Sequence, residues 1–418
     1  MRVLHLTPEF PPVIWGGLGT AVGGLVNASS RYGIEVGVLL VGGVLVVGSH
    51  GCAQMDYGGG HLSSCGRILS QHGQTVFGPT GVMFKQVAPT AAVEAGVRLA
   101  RGWRPDVVHL HTAWLWHVAA AIREQTGVPF VFTVHSLDRV EYEHGIFLWS
   151  WETQEAAIHA ADRVIALSRS EHELMVEYCP AVRQRIRIVG NGIDDVPISK
   201  RFLGNGSSAQ EPVVLYCGRF VNRKGIRELL DAIPCVLKKT PNTRFVLVGG
   251  YGGGAEIERA WLVDSLLPYR SQVEFTGWLT PSEVIHWYRL ADILVVPSWY
   301  EPFGMVVLEG MLHGLAIAAS SVGGPAEILD HERTGILFRA KDGAALAEAI
   351  LKLIRDPELR NRVAESGARE VREKWLWPTI AGKMHAVYLE LVQRSQKQLV
   401  PGLKESKIPI PRALADAG

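Results

Sequence analysis

The chain has 418 residues, of which 47% are hydrophobic and 20% are charged, and its formal net charge is +1. A chain of this length exceeds the size at which one hydrophobic core stops growing, so two domains are expected. The near-neutral charge argues against a nucleic-acid partner, and five cysteines without C-x-x-C spacing argue against a disulfide framework or a zinc site.

The first 195 residues alternate short apolar runs with helix-length segments, which predicts a parallel sheet covered by helices. The predicted strands are 2–6, 36–41, 107–111, 130–134, 163–167 and 186–189. The predicted helices are 19–31, 91–102, 113–125 and 171–178, and Ser168 with Glu171 predicts a capping box for the last. Residues 50–75 are rich in glycine and polar residues and predict a long loop.

A stretch rich in Gly, Ser and Pro, 196–212, is typical of an interdomain linker. The alternation then resumes, with strands predicted at 213–217, 244–248, 273–275, 293–296 and 316–319. Thr280, Pro281 and Glu283 predict a helix start, as N-cap, N1 and N3 residues.

The expected architecture is therefore two Rossmann-like, doubly wound α/β domains that face each other across a cleft. The domains are predicted at 1–195 and 213–373, followed by a helix at 374–393 and a tail at 394–418. The tail is basic but has few hydrophobic anchors and three prolines, which favours a flexible tail over weak contact with a membrane surface. The most apolar run, 36–48, is too short to span a bilayer and the first strand begins at once, so a cytoplasmic protein is expected.

A glycine-rich loop follows the first predicted strand. Gly16 and Gly17 lie where this loop turns into a helix, so a phosphate could approach backbone N–H groups there. The alternative is that these glycines only permit a tight turn. The spacing of Gly17, Gly19 and Gly23 is G-x-G-x-x-x-G and does not match the dinucleotide fingerprint, so an NAD site is not expected.

Two cations follow the first strand of the second domain, in G-R-F-V-N-R-K-G at 218–225. Arg219 and Lys224 would lie at the carboxyl end of this strand, where open α/β sheets bind ligands. They could neutralise a diphosphate without a metal ion. A solvated pair of charges on a loop is the alternative.

The stretch S-W-Y-E-P-F-G-M-V-V-L-E-G-M-L-H-G at 298–314 holds two glutamates. Glu301 is predicted in a loop and Glu309 more than one turn inside a helix that starts at Gly304. The backbone N–H groups of Gly304, Met305 and Val306 lie between them. A diphosphate at the helix start, with a sugar and a ribose on either side, fits this arrangement. A glycosidase would instead need both carboxylates to flank one bond, and the helix start between them favours a nucleotide sugar.

The chain resembles the family-4 retaining glycosyltransferases of GT-B architecture, a group that includes sucrose-phosphate synthases, with the bacterial glycogen synthases as close relatives. E-P-F-G-M-V-V-L-E resembles the E-x7-E motif of that group. Six further motifs agree in order: GGLGTAV, VHSLDR, NGID, GRFVNRKG, VEFTGWL and GGPAEIL. The resemblance covers most of the chain, and it implies that the helix at 374–393 crosses back to the first domain.

The resemblance implies the roles of the site residues. Arg219 and Lys224 would bind the donor diphosphate, which Gly16 and Gly17 would face from the first domain. Glu309 would bind ribose, Leu279 would lie beside the nucleobase, and Glu301 would hold the transferred sugar. His135 would lie at the reacting centre. Residues expected to face the acceptor are His111, Asp138 and Arg139, and Arg139 could bind an anionic group on it.

The resemblance also implies the reaction. A nucleoside-diphosphate sugar would be the co-substrate, with no cofactor and no metal, and front-face attack by the acceptor hydroxyl would retain the anomeric configuration. H-S-L-D-R at 135–139 suggests glucose, from UDP- or ADP-glucose. The absence of lysine from 14–18 departs from the K-x-G-G-L of bacterial glycogen synthases and weakens that assignment. The nucleobase, the small-molecule or saccharide acceptor and the oligomeric state stay open, and an epimerase, a phosphorylase or a non-catalytic nucleotide-sugar binding protein are the alternatives.

Overall fold

The computed structural model describes residues 1–11, 17–42, 76–77, 82–144, 151–196, 212–250 and 266–399. The whole of the predicted 50–75 loop, nearly all of the predicted linker, Gly16 and the tail from residue 400 onward lie outside these residues. Among the described helices, none combines the length and the apolar character that crossing a membrane requires.

The first sheet has eight strands in the order β3-β4-β2-β1-β5-β6-β7-β8. All pairs are parallel except β3 with β4. The strands are β1 (Arg2–Thr7), β2 (Glu35–Val41), β3 (Val76–Phe77), β4 (Met83–Val87), β5 (Val107–Leu110), β6 (Phe130–Val134), β7 (Arg163–Ala166) and β8 (Ile186–Ile188). Six of them match predicted strands to within about a residue at each end, whereas β3 and β4 were not predicted.

Six α-helices accompany this sheet: α1 (Gly17–Ser30), α2 (Ala92–Trp103), α3 (Trp116–Thr126), α4 (Asp138–Glu143), α5 (Trp151–Ala160) and α6 (Arg169–Tyr178). The capping box predicted for α6 is only half formed. Ser168 Oγ accepts a hydrogen bond from the Glu171 N–H at 3.2 Å. The Glu171 carboxyl does not complete the box because it binds Tyr300 of the second half instead.

The second sheet has six parallel strands in the order β11-β10-β9-β12-β13-β14. They are β9 (Val213–Cys217), β10 (Arg244–Val248), β11 (Val273–Gly277), β12 (Ile293–Val296), β13 (Ala316–Ser320) and β14 (Ile336–Phe338), of which only β14 was not predicted. The helices are α7 (Ile226–Lys239), α8 (Pro281–Leu290), α9 (Met305–Leu312), α10 (Gly323–Ile328), α11 (Gly343–Arg355) and α12 (Pro357–Lys374). The predicted helix start at Thr280 is confirmed, with both hydrogen bonds of a capping box.

The last helix, α13 (Trp377–Leu399), packs against the first sheet rather than the second. Its Tyr388 is fully buried and its hydroxyl lies 2.6 Å from Nδ1 of His109. Glu390 forms ion pairs with Arg163 and Arg187. These features confirm the expected class, two Rossmann-like α/β domains, with the last helix joined to the first domain.

Candidate active site

Glu301 and Lys224 form an ion pair at the carboxyl end of the second sheet. Glu301 lies in the loop after β12, and Lys224 lies in the loop after β9. Their side chains are 9% and 19% exposed. Glu301 Oε2 also accepts a hydrogen bond from Ser298 Oγ at 3.2 Å. The two loops predicted to bind a donor therefore bring a carboxylate and an ammonium group together at a position of low exposure.

The charges of this pair stabilise each other. Burial alone would raise the pKa of Glu301, but the charge and hydrogen bond of Lys224, with Arg223 and Ser298, outweigh it and lower that pKa. Burial lowers the pKa of Lys224, and Glu301 opposes this shift. These interactions therefore favour the carboxylate form of Glu301, which can accept hydrogen bonds.

Glu309 has a separate partner. It lies on the second turn of α9, where its Oε2 accepts a hydrogen bond from the Tyr288 hydroxyl at 2.7 Å. Burial raises the pKa of Glu309, and the bond from Tyr288 opposes that shift. The two glutamates share no hydrogen-bond partner, so the structure gives them different surroundings.

The start of α9 lies between them. The helix begins at Met305, one residue later than predicted, and Gly304 precedes it in the left-handed region at φ 94°. The first N–H groups of a helix have no acceptor within it. The N–H groups of Met305 and Val306 therefore occupy the stretch between Glu301 and Glu309, at the positive end of the helix dipole.

Two glycines allow the loops that follow β9, β12 and β13 to pack against each other. Gly225 has φ 69°, and a Cβ there would lie 1.9 Å from the carbonyl oxygen of Pro297. Gly323 has φ 51°, and a Cβ there would lie 2.1 Å from the carbonyl oxygen of Glu301. Side chains would force these backbones apart. The loops after β9, β12 and β13 therefore form one closely packed unit.

Two further predicted donor residues lie on this domain. The Arg219 side chain is exposed and makes no ion pair with the described residues, and its charge contributes to lowering the pKa of Lys224. Leu279 follows β11 and is half-buried, in the same apolar cluster as Met305 and Val306. Arg219 is thus available to an anionic ligand near Lys224.

The first domain contributes a chain of histidines. His135 follows β6, and its Nε2 lies 3.3 Å from Nδ1 of His111. His111 Nε2 lies 2.9 Å from Nδ1 of His5, on β1. Nε2 of His5 is buried without a partner among the described residues. A buried N–H without an acceptor is rarer than a buried acceptor without a donor, so Nε2 of His5 is expected to carry no proton. In that tautomer the Nδ1–H of His5 donates to Nε2 of His111, and the Nδ1–H of His111 donates to Nε2 of His135. The proton of neutral His135 then lies on its Nδ1.

These histidines are neutral. Burial lowers the pKa of His5 to about 3 and that of His135 to about 4. The pKa values of His109 and His111 are also lowered, first by burial and then by the neighbouring histidines. The first domain therefore holds a cluster of uncharged imidazoles, of which only His135 is partly exposed.

His5, His109 and His111 also bring ring nitrogens within 4.8 Å of one another, close enough for a common metal ion. However, the rings of His109 and His111 stack with centroids 4.0 Å apart. Both ring nitrogens of His109 already lie within hydrogen-bond distance of Tyr388 and Thr133. Each imidazole must point an unshared in-plane lone pair at a metal, so these three residues fit a hydrogen-bonded cluster better than a metal centre.

Two family models match the chain. The model described as Glycosyltransferase Family 4 matches residues 15–196, and the model described as Glycosyl transferases group 1 matches residues 200–370. The chain belongs to the family-4 glycosyltransferases. The two models meet near the predicted linker, one on each sheet of the GT-B fold, and the resemblance inferred from the motifs is confirmed.

Relatives and solved structures agree with this assignment. The glycogen synthase of Mycobacterium tuberculosis is 28% identical over 96% of this chain and 98% of its own. The sucrose-phosphate synthase of Thermosynechococcus elongatus has a TM-score of 0.70 at 23% identity, covering 94% of this chain and 100% of that one. Anabaena HepE in complex with UDP and glucose has a TM-score of 0.69 at 18% identity, covering 93% and 100%. These two structures share the fold of this glycosyltransferase.

Of the residues predicted to face the acceptor, Arg139 has other partners. Its guanidinium lies 3.4 Å from Glu155 and 3.8 Å from Glu143, and it lies over the rings of Trp151 and Tyr178 at 5.2 and 4.5 Å. These contacts argue for a role in joining α4, α5 and α6 rather than in binding an anion.

Asp138, also predicted to face the acceptor, has a raised pKa. Burial, and then the charge of Glu141, raises the pKa of Asp138 to about 6.

Gly17 is exposed, and a Cβ there would meet nothing within 4 Å. Packing within the described residues therefore does not require glycine at this position. The choice between ligand approach and a tight turn stays open at Gly17, and its neighbour Gly16 lies outside the described residues.

Four site residues were missed from the sequence. Ser298 and Tyr288 bind the two glutamates directly, and Arg223 and Tyr300 reach across to the first domain. Three of them lie within one to three residues of a predicted site residue, which is the local signal that was available. Tyr288 lies 21 positions from Glu309, and only the packing of α8 against α9 reveals it.

Proposed function

We propose that this glycosyltransferase moves a hexosyl group, glucose, from UDP- or ADP-glucose to an acceptor hydroxyl with retention of the anomeric configuration. The observation that carries the proposal is the separation of Glu301 and Glu309 by the start of α9. A nucleotide sugar carries a sugar, a diphosphate and a ribose in that order. The helix N-terminus would bind the diphosphate, and the carboxylate on each side would bind the sugar or the ribose. A complex with UDP and glucose is known for the HepE neighbour, which supports a glucosyl donor.

Each residue of the site would have its own role in this reaction. Departure of the nucleoside diphosphate builds negative charge on its terminal phosphate. Arg219, Lys224 and the α9 N–H groups would stabilise that charge. Glu301 would hold the hydroxyl groups of the transferred sugar, and Glu309 those of the ribose. Leu279 would contact the base, and Gly17 would let the diphosphate approach α1.

The acceptor hydroxyl would attack the face from which the diphosphate leaves, and the leaving phosphate would take its proton. In this mechanism the C–O bond to the diphosphate breaks as the new glycosidic bond forms, and no protein nucleophile is required. Neutral His135 would lie at the reacting centre as a hydrogen-bond donor. Arg219 and Lys224 supply the positive charge, so the reaction is proposed to need no metal ion.

A nucleotide-sugar panel tests the donor. Purified protein would be heated with UDP-glucose, ADP-glucose and GDP-glucose, because a ligand at about 100 times its Kd adds about 2.7 kcal/mol to the free energy of unfolding. We expect UDP- or ADP-glucose to raise the Tm and Lys224→Ala to remove the effect. Lys239→Ala is the matched control, since this lysine pairs with exposed Glu348 on α11. No shift with any nucleotide sugar would contradict the proposal.

Turnover is then measured as nucleoside diphosphate released with a panel of small-molecule and saccharide acceptors, with EDTA and without it. We expect release that depends on acceptor and is insensitive to EDTA, and an α-glycoside as the product by NMR. Interconversion of donors in the absence of acceptor would identify an epimerase instead, and a β-linked product would exclude retention.

A further inference from the structure

The three donor loops each extend one side chain into the first domain. These side chains are Arg223 from the loop after β9, Tyr300 from the loop after β12, and Glu327 from α10, which follows β13. Their contacts lie on α4, on α6 and on the residues just before these helices. We call this set of three residues the latch.

Tyr300 is the central contact. It is 6% exposed and belongs to the apolar core of the first domain, although it comes from the second half of the chain. Its hydroxyl accepts a hydrogen bond from the N–H of Leu137 at 2.8 Å and donates one to Glu171 Oε2 at 3.0 Å. Its ring stacks on His144 with centroids 5.9 Å apart.

Arg223 makes a buried ion pair across the interface. Its Nε lies 2.7 Å from Oε2 of Glu141 on α4, and the two side chains are 5% and 6% exposed. Arg223 is also joined to the loop of Tyr300, because its carbonyl oxygen accepts from the N–H of Trp299 at 2.7 Å. A buried charge of this kind is costly when its partner is withdrawn, so Arg223 and Tyr300 favour the same arrangement of the domains.

Glu327 contacts the first domain at the start of α6. Its two carboxylate oxygens accept hydrogen bonds from the N–H groups of Arg169 and Ser170, both at 2.9 Å. A carboxylate at a helix N-terminus satisfies N–H groups that have no acceptor within the helix. The third contact therefore lies on the same helix as Glu171, the partner of Tyr300.

The latch residues are covalent neighbours of the donor residues. Tyr300 precedes Glu301, and Arg223 precedes Lys224. The close packing of Gly225 on Pro297 and of Gly323 on Glu301 prevents the three loops from moving independently. Any displacement of α4 and α6 relative to the second sheet is therefore transmitted to the Lys224–Glu301 pair.

We propose that Arg223, Tyr300 and Glu327 are positioning residues that engage the first domain as one unit and so hold Lys224 and Glu301 in the arrangement needed for transfer. This inference rests on the proposed function of Lys224 and Glu301. It adds that donor alignment depends on three contacts outside the donor pocket. Interfaces between domains of one chain are commonly polar and allow relative motion, and the groups that meet here are of that kind.

Amide hydrogen exchange tests the latch without any donor. The N–H groups of Leu137, Arg169 and Ser170 have their acceptors in the other domain, so each reports one contact. In Tyr300→Phe, which keeps the buried ring, we expect all three to exchange about tenfold faster or more, because one opening exposes them together. Tyr32→Phe is the matched control: it loses a hydroxyl bonded to Pro378 far from the latch and should leave all three unchanged.

Faster exchange at Leu137 alone would show that the contacts open independently and would overturn the proposal.

A second variant, Glu327→Gln, separates local from concerted effects. It removes a charge from a solvent-exposed residue, so folding is expected to persist. Concerted opening predicts faster exchange at Leu137 as well as at Arg169 and Ser170, whereas a change confined to the last two would argue against a single unit.

Kinetics test the positioning role. With UDP-glucose or ADP-glucose as donor, Tyr300→Phe should lower kcat about tenfold while the donor Kd changes less than about threefold. A changed Kd with unchanged kcat would contradict positioning. If the wild-type protein bound no nucleotide sugar, the proposed function would fail, but the exchange experiment would still decide whether the latch acts as a unit.

Discussion

The two sides of the cleft differ in how they use polar side chains. The first domain presents neutral histidines whose hydrogen bonds run from His5 through His111 to His135. The second domain presents charged groups, with Lys224 paired to Glu301 and Arg219 exposed beside them. In the proposed reaction, the uncharged histidines would suit an acceptor hydroxyl and the charged groups would suit a diphosphate. The two domains therefore differ in the charge of their polar side chains, a difference that does not depend on any ligand.

Removing charge from the second domain should have the largest effect. We expect Glu301→Gln or Lys224→Ala to lower kcat by about 10²–10³-fold, the range seen when a group that stabilises developing charge is lost. The measurement is diphosphate release at saturating donor and acceptor. Lys239→Ala is the control and should retain full turnover. Full turnover in both Glu301→Gln and Lys224→Ala would show that the charged groups of the second domain are not needed for the reaction.

Glu309 should affect binding more than turnover. Its proposed hydrogen bonds to ribose are charge-assisted and worth about 1.5–3 kcal/mol, so Glu309→Ala should raise the donor Kd by about 10–100-fold. We expect kcat at saturating donor to fall less than about threefold. Calorimetric titration with UDP-glucose or ADP-glucose checks this prediction, and a large loss of kcat with unchanged Kd would assign Glu309 a role like that of Glu301.

The histidines predict a loss of stability in acid. Their pKa values in the folded state lie below the unfolded value of 6.5, about 3 for His5 and about 4 for His135. The unfolded chain therefore binds more protons as pH falls from 6.5 toward 4, and each such group lowers the free energy of unfolding by about 1.4 kcal/mol per pH unit. Urea unfolding at pH 5.0, 5.75 and 6.5 should show a steeper slope in wild type than in His5→Asn.

At higher pH, Glu171 should make the free energy of unfolding fall as the pH rises. Burial, together with nearby Glu141, Glu301 and Glu327, raises its pKa to about 8, while the hydrogen bond from Tyr300 opposes the shift. The folded state therefore keeps a proton that the unfolded chain has lost above pH 4.5, so stability falls as pH rises toward 8. Between pH 6.5 and 8, above the histidine window, Glu171→Gln should flatten the decline in the free energy of unfolding. An unchanged slope would contradict this assignment.

Arg139 should give the smallest effect. Arg139→Lys keeps the positive charge but loses the planar contact with Trp151 and Tyr178, so we expect a loss of about 0.5–1 kcal/mol of stability. Acceptor KM should change less than about twofold, because its charge is already paired with Glu143 and Glu155. A large rise in KM for an anionic acceptor would restore the role that the sequence predicted for it.

The fold could be predicted because most strands are buried on both faces and read as continuous apolar runs. The missed strand β4 holds Lys85 and Gln86 among its five residues, and β14 has only three residues. Part of the site could be predicted, because open α/β sheets bind ligands in the loops at the carboxyl ends of their strands. The partners of the two glutamates could not be fully predicted, because Tyr288 meets Glu309 only through helix packing. At Glu171 the local capping rule was overridden by a tertiary hydrogen bond from Tyr300.

Helix α13 has a consequence for the order in which the chain folds. Trp377, Ile380, Met384 and Tyr388 complete an apolar cluster otherwise built from residues 3–189, and Glu390 is the ion-pair partner of Arg163, whose side chain is only 1% exposed. During synthesis, this cluster can therefore be completed only after the whole second domain has been made. The other apolar cluster of the first domain contains no residue of α13.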